Sequence, residues 1–186
     1  MPHCANGRTC VVVVFGVTGS GKTRIGAALA RSLRWTFYDA DDFHGQKNLA
    51  KLQRGIPLTD RDRGPWLNRL RWIIKRCLAE RHSMILACSA LKRMYRQHLR
   101  ISDRVIFVYL KVTPTVVERR LRQRKGHFMN ADLLESQFAT LEEPTDDAIV
   151  ANATQKPRGI VNGLRKRLLA QGCCPGPKHL SYASWS

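Results

Sequence analysis

No apolar run in this chain approaches the roughly 20 residues that a membrane-spanning helix needs. The longest, Cys10 to Phe15, is also too short, and too closely followed by a charged segment, to serve as a secretory signal. Acidic residues are scarce: 14 Asp+Glu stand against 32 Lys+Arg, a formal net charge of +18. Such an excess points to polyanionic company, whether nucleic acid, anionic membrane or phosphorylated small molecules. Cysteine-pairing signals are missing as well. Cys4, Cys10, Cys77, Cys88, Cys173 and Cys174 form no CxxC pair and have no zinc-type spacing to the six histidines. Cys77 and Cys88 fall in apolar periodic segments, where cysteine behaves as a small buried hydrophobe. All six are expected as reduced thiols in a cytoplasmic protein, because a chain of this length needs no covalent staples.

What is present is an ordinary globular composition, 44% hydrophobic and 25% charged over 186 residues, enough for one domain. Short apolar runs alternate with amphipathic ones, the pattern of a parallel sheet with crossover helices. The β-branched run Val11 to Phe15 reads as a fully buried strand, followed by a helix from Lys22 to Arg34. Trp35 to Asp39, Met84 to Cys88, Val105 to Leu110 and Ile149 to Ala151 read as further strands, five in all. An apolar stripe of Trp66, Leu67, Leu70, Ile73, Ile74, Cys77 and Leu78 marks a helix whose other face is basic. Thr113 and Pro114 are a cap and first-turn pair for a helix to about Arg124; Asn130 and Asp132 open another, and Gly159 to Ala170 forms the last. Residues 1–170 are expected as one domain, and 171–186, rich in Gly, Pro and Ser, as a weakly ordered tail. Trp35, Trp66 and Trp72 are expected in the core.

The strongest local signal is Gly16-Val17-Thr18-Gly19-Ser20-Gly21-Lys22-Thr23, a complete GxxxxGK[ST] between an apolar strand and an amphipathic helix. Its glycines allow successive N–H groups to turn toward phosphate oxygens, and the positive end of the next helix adds to that field. Lys22 reaches the β- and γ-phosphates and the Thr23 hydroxyl ligates Mg²⁺ in such loops, so a nucleoside triphosphate is the expected ligand. The runs after the third and fourth strands lack the acid of an ordinary Walker B strand. Acidic residues lie instead after the second, in Tyr38-Asp39-Ala40-Asp41-Asp42-Phe43-His44. With strand two beside the phosphate loop, an extended segment puts Asp39 and Asp41 on one face, one toward metal and one toward an acceptor hydroxyl. The alternative is a solvated acidic turn.

From Lys92 to Lys125 there are eleven Lys/Arg, with only Asp103 and Glu118 as acids. Arg119 to Lys125 ends a helix and enters a loop, about residues 120–130, with the character of a mobile lid that brings guanidinium groups to phosphate oxygens. Arg120 and Arg124 lie four apart on one helical face. The alternative is a solvated basic face. Nucleic acid is disfavoured as a partner, because the basic residues are scattered and no RNA- or DNA-binding signature appears.

In chain order, GVTGSGKT (16–23), FYDADDFH (37–44), GIPLTDRDRGPWL (55–67), CSALKRMYR (88–96), RKGHFM (124–129) and QFATLEEP (137–144) resemble the small P-loop gluconate kinases, relatives of shikimate kinase and the nucleoside monophosphate kinases. The resemblance covers about residues 11–165. It implies a three-layer α/β/α P-loop fold with a mobile lid and transfer of the ATP γ-phosphoryl group to the 6-hydroxyl of D-gluconate, with Mg²⁺. On this resemblance Gly16 to Thr23, with Arg120 and Arg124, hold the nucleotide. Lys22, Asp41 and Arg124 serve catalysis, and Thr23 and Asp39 hold the metal, Asp39 through water. Asp41, His44, Arg63, Lys92, Arg96, His127 and Gln137 surround the acceptor, Arg63 taking the sugar-acid carboxylate, while Thr154 to Arg158 border the adenine. Family members are often dimers, so a homodimer is the implied assembly. Arg63 salt-bridged to Asp60 or Asp62, and a solvated Lys92, are the plain structural alternatives. Shikimate or a nucleoside monophosphate as acceptor, or an ATP-dependent nucleic-acid-binding module, are the competing functions. Thr23 stands where serine is common in the family, and residues 171–186 match nothing in it.

Overall fold

A computed structural model describes residues 8–123 and 131–176, apart from the side chains of 131–133. Five strands form one parallel sheet: β1 (Val11–Phe15), β2 (Thr36–Asp39), β3 (Met84–Cys88), β4 (Val105–Lys111) and β5 (Ile149–Asn152). The helices among the described residues are α1 (Lys22–Leu33), α2 (Gln46–Gln53), α3 (Asp60–Ala79), α4 (Arg93–Leu99), α5 (Pro114–Arg122), α6 (Ala131–Thr140) and α7 (Pro157–Ala170), with a 3₁₀ turn over Ala40–Phe43.

The strand order is β2-β3-β1-β4-β5. β3 stands between β2 and the phosphate-loop strand, pairing Val14 with Ala87 on one side while Ala87 pairs with Asp39 on the other, yet the C-terminal end of β2 still reaches the phosphate loop, where Thr23 meets Asp39. β1 is central and every residue in it is buried, as a strand covered on both faces requires. Val12 and Val14 join the cluster made with α1 and α7; Val11, Val13 and Phe15 join the one made with α3 and α4. The period-2 alternation of one strand thus seeds both layers of core. No helix among the described residues is long and apolar enough to cross a membrane.

α3 begins at Asp60, six residues before the apolar stripe. Thr59 and Asp62 close a reciprocal capping box, and Pro65 is accommodated within the helix. Trp66 is buried, as is Trp35, but Trp72 is 57% exposed, which corrects its placement in the core. Residue 72 falls on the face opposite Leu70 and Ile74, where the Arg76 guanidinium covers its ring at 5.3 Å.

Two further expectations are corrected at the chain ends. Cys10 and Cys173 are joined in a disulfide across 163 residues of sequence, so not all six cysteines are thiols. The first part of the C-terminal segment is packed rather than loose. Cys173 is buried, Arg8 pairs with it as an isolated parallel bridge, Gly176 N–H donates to Leu33 O, and Trp35 Nε1 donates to Cys174 O. Any added Cβ at Gly176 would fall 2.2 Å from the Arg34 carbonyl oxygen, so glycine is what allows this close approach.

Candidate active site

The phosphate loop sits between β1 and α1 at the C-terminal end of the sheet, where open parallel sheets bind ligands. Gly16 has φ 145°, and a Cβ there would lie 3.0 Å from the Leu110 carbonyl oxygen. Gly19 has φ 79°, and a Cβ would meet Val117 of α5 at 2.6 Å. A side chain at either position would collide with an element flanking the loop, in a backbone conformation that only glycine adopts without strain. Lys22 Nζ donates to Val17 O at 3.0 Å, which arches the side chain over the loop. Ser20 Oγ is buried and has no hydrogen-bond partner among the described residues, so the loop carries a polar atom for a ligand to satisfy.

Thr23 Oγ1 donates to Asp39 Oδ2 at 2.8 Å, and Asp39 Oδ1 accepts from the Asp41 N–H at 3.2 Å. The Asp39 carboxylate thus caps the 3₁₀ turn and adjoins the loop hydroxyl, an all-oxygen pair suited to hard Mg²⁺. The turn replaces the extended segment expected here: Asp39 and Asp41 are brought together by capping rather than by strand alternation. Asp41's side chain is 78% exposed, open to an incoming hydroxyl. Crowding by surrounding protein, and then the neighbouring Asp39 charge, raise its carboxyl above the ordinary value, against the lowering effect of Lys22.

His44 Nε2 is 4.0 Å from Asp41 Oδ1, and its ring stacks on Trp66 with centroids 4.5 Å apart. Burial holds the imidazole below its usual value, which Asp41 opposes and Arg63 reinforces, so it is neutral at pH 7. Trp66 Nε1 donates to Ala40 O at 2.7 Å, locking the turn that carries Asp41 onto α3.

On the α3–α4 side stands a second cluster. Lys92 Nζ donates to both Asp60 oxygens, at 2.8 and 2.7 Å, and Tyr95 Oη donates a short hydrogen bond to Asp60 Oδ1. Arg63 Nη1 donates to Tyr95 Oη at 3.3 Å and lies 3.9 Å from Asp60 Oδ1. Lys92 is therefore ion-paired rather than free in solvent, and Arg63 keeps Asp60 as its acidic neighbour. Asp60 was expected only as a salt-bridge partner of Arg63, and Tyr95 was not foreseen; Tyr95 follows Lys92 by three residues, one helical turn, and that spacing was the available signal.

The other described candidate residues hold the loops around the site. The Arg96 side chain is buried, donating to Ala90 O (3.3 Å) and Leu91 O (2.9 Å), with its guanidinium 4.9 Å from the Phe15 ring. It braces the β3–α4 loop from beneath rather than lining the open site. Gln137 from α6 grips the phosphate loop: its Oε1 accepts from Thr18 N–H at 2.7 Å, and its Nε2 donates to Thr18 Oγ1 at 3.0 Å. Arg120 ties α5 to the same loop, donating to Gly19 O and Ser20 O (both 3.3 Å), and to Ala153 O at 2.6 Å. Ala153 adjoins the segment Thr154 to Arg158, whose first residue is held by Asn152 Oδ1. Arg124 and His127 lie outside the described residues.

Comparison with known proteins gives the same picture from outside. A shikimate kinase family model matches residues 18–168. A probable gluconokinase of Xenopus tropicalis is 44% identical over 151 residues, covering 73% of this chain and 80% of the relative. The thermosensitive gluconokinase of Escherichia coli is 39% identical over 165 residues, covering 83% and 88%. The crystal structure of a gluconokinase from Sinorhizobium meliloti superposes with TM-score 0.80 at 37% identity, covering 90% of this chain and 95% of that one. A cradle that only glycines permit, a hydroxyl and carboxylate fit for Mg²⁺, an acidic turn and a cationic pair beyond it occur here in a chain similar to these enzymes along most of its length, and the chain belongs to the gluconokinase family.

Proposed function

We propose that this chain transfers the γ-phosphoryl group of ATP to the 6-hydroxyl of D-gluconate, giving 6-phospho-D-gluconate and ADP. The observation that carries the reading is the unbroken run from phosphate loop to cationic cluster. Thr23 of the loop binds Asp39, Asp39 caps the turn that bears Asp41, and Asp41 faces His44; His44 stacks on Trp66, one helical turn from Arg63, which borders Tyr95, Asp60 and Lys92. A polyol acid spans such a run with its carboxylate toward Arg63 and Lys92 and its far hydroxyl toward Asp41.

Backbone N–H groups from Gly16 to Thr23 bind the triphosphate, and Lys22 neutralises charge at the β- and γ-phosphates. Thr23 directly, and Asp39 through water, would hold Mg²⁺, which when bound offsets the negative charge on the transferring group. Asp41 orients the acceptor hydroxyl and accepts its proton as the new O–P bond forms. Its raised carboxyl value makes it a better base than an ordinary aspartate. His44, neutral and pinned by Trp66, supports Asp41 and lines the acceptor. Arg120 sets α5 against the loop, and Arg96 and Gln137 fix the loops that bear these groups. A homodimer in the cytoplasm, with no membrane or nucleic-acid partner, is the setting that the family resemblance favours.

The test is Mg²⁺-dependent ADP release with D-gluconate, shikimate, AMP, CMP and a mixed RNA as acceptors. Turnover is expected with gluconate alone. Arg63→Ala should raise KM for gluconate far more than for ATP; equal effects on both would contradict the carboxylate assignment.

A further inference from the structure

Among the described residues, the cationic cluster contains one acid, and that acid takes most of its hydrogen bonds. Lys92 Nζ gives Asp60 two hydrogen bonds, Tyr95 Oη gives it a third, and Arg63 stands at 3.9 Å. Tyr95 is buried, and both cations lie 5.8 Å from its ring centroid, so Arg63 and Lys92 are held about one aromatic support. The hydrogen bond from Lys92 keeps Asp60 ionised, and the bond back keeps Lys92 protonated. Counting formal charges, Arg63 and Lys92 bring two positive charges and Asp60 removes one. A single net positive charge remains.

We propose that Asp60 is the specificity-determining residue of the acceptor subsite, setting its charge to match a monoanionic carboxylate and to disfavour a dianionic group in the same place. This rests on the assignment of Arg63 and Lys92 to the acceptor's acid group. A carboxylate with one negative charge balances what Asp60 leaves over. A phosphate monoester at neutral pH carries nearly two; its second charge has no counter-charge in the cluster and lies near the Asp60 carboxylate. The kinase would thereby separate unphosphorylated sugar acids from the sugar phosphates that surround them in a cell, without a steric gate.

Asp60 can be neutralised without undoing α3, because the capping box is made by Thr59 and Asp62. The experiment compares wild type, Asp60→Asn and Asp60→Glu at pH 8. It measures kcat/KM for D-gluconate and the competition constant of an acyclic hexitol 1-phosphate, which keeps a free 6-hydroxyl but has a dianion in place of the carboxylate. Wild type should favour gluconate, Asp60→Asn should shrink that preference by about tenfold, as removal of one partly screened charge at close range would, and Asp60→Glu should restore it. KM for ATP should be unchanged throughout. If Asp60→Asn weakens both anions in equal proportion, Asp60 is a scaffold residue and the inference is wrong. If the wild-type chain turns over no gluconate, the acceptor assignment falls first and the inference falls with it.

Discussion

Asp41 shows how much a single side chain depends on its immediate surroundings. Its neighbours were readable in the sequence as an acidic run, and the run was rightly placed at the end of a strand. The means of bringing Asp39 and Asp41 together was not readable, since alternation along a strand and capping of a 3₁₀ turn both join residues two apart. The chemical consequence is specific. Because crowding and Asp39 raise the Asp41 carboxyl in the free protein, the acid limb of kcat/KM for gluconate against pH should fall above the ordinary aspartate value of 3.8. Asp41→Asn should lower kcat by roughly 10²–10⁴-fold and abolish that limb. A variant keeping both rate and limb would show that another group takes the proton.

At the scale of elements, the sequence was most informative where burial was greatest. β1 and β3 run over the residues that their apolar character predicts, because a strand covered on both faces has no polar position to blur its ends. α2 went unread for the opposite reason: none of its residues is buried, and Leu49 and Leu52 are each 40% exposed, so no apolar period marks it. The start of α3 was hidden by Gly64 and Pro65, which read as punctuation, although the Thr59…Asp62 box lay upstream. That helix matters because Trp66 fixes the acidic turn to it. Trp66→Phe keeps the aromatic packing against His44 but leaves the buried Ala40 carbonyl without its donor, a loss of about 1–3 kcal/mol. Chemical denaturation should register that loss, with kcat falling more than KM for ATP as the turn loosens. Unaltered stability would mean the hydrogen bond is replaced.

For the molecule as a whole, topology and long-range covalent links lie beyond local pattern. Nothing in the spacing of Cys10 and Cys173 distinguishes them from the other cysteines; only the fold brings α7's end back to the start of β1. The remaining buried thiols are poor competitors for exchange, since burial pushes Cys77 up to about 11 and Cys88 up to about 12. Cys173→Ser, or treatment with dithiothreitol, should lower unfolding stability by up to about 5 kcal/mol, the chain-entropy limit for so long a loop. Equal denaturation midpoints with and without reductant would show that the bond does not contribute.

The Cys10–Cys173 link also alters what kind of object the chain is. With positions 163 apart in sequence bonded to each other, the polypeptide from Cys10 to Cys173 is a closed ring. One protease cut anywhere on that ring opens it but releases no fragment, so a nicked molecule would run as a single band on a non-reducing gel and as two after reduction. Pulled by its termini, the oxidised chain would transmit force through the sulfur bridge and spare the phosphate loop, the acidic turn and the cationic cluster, all of which lie within the ring.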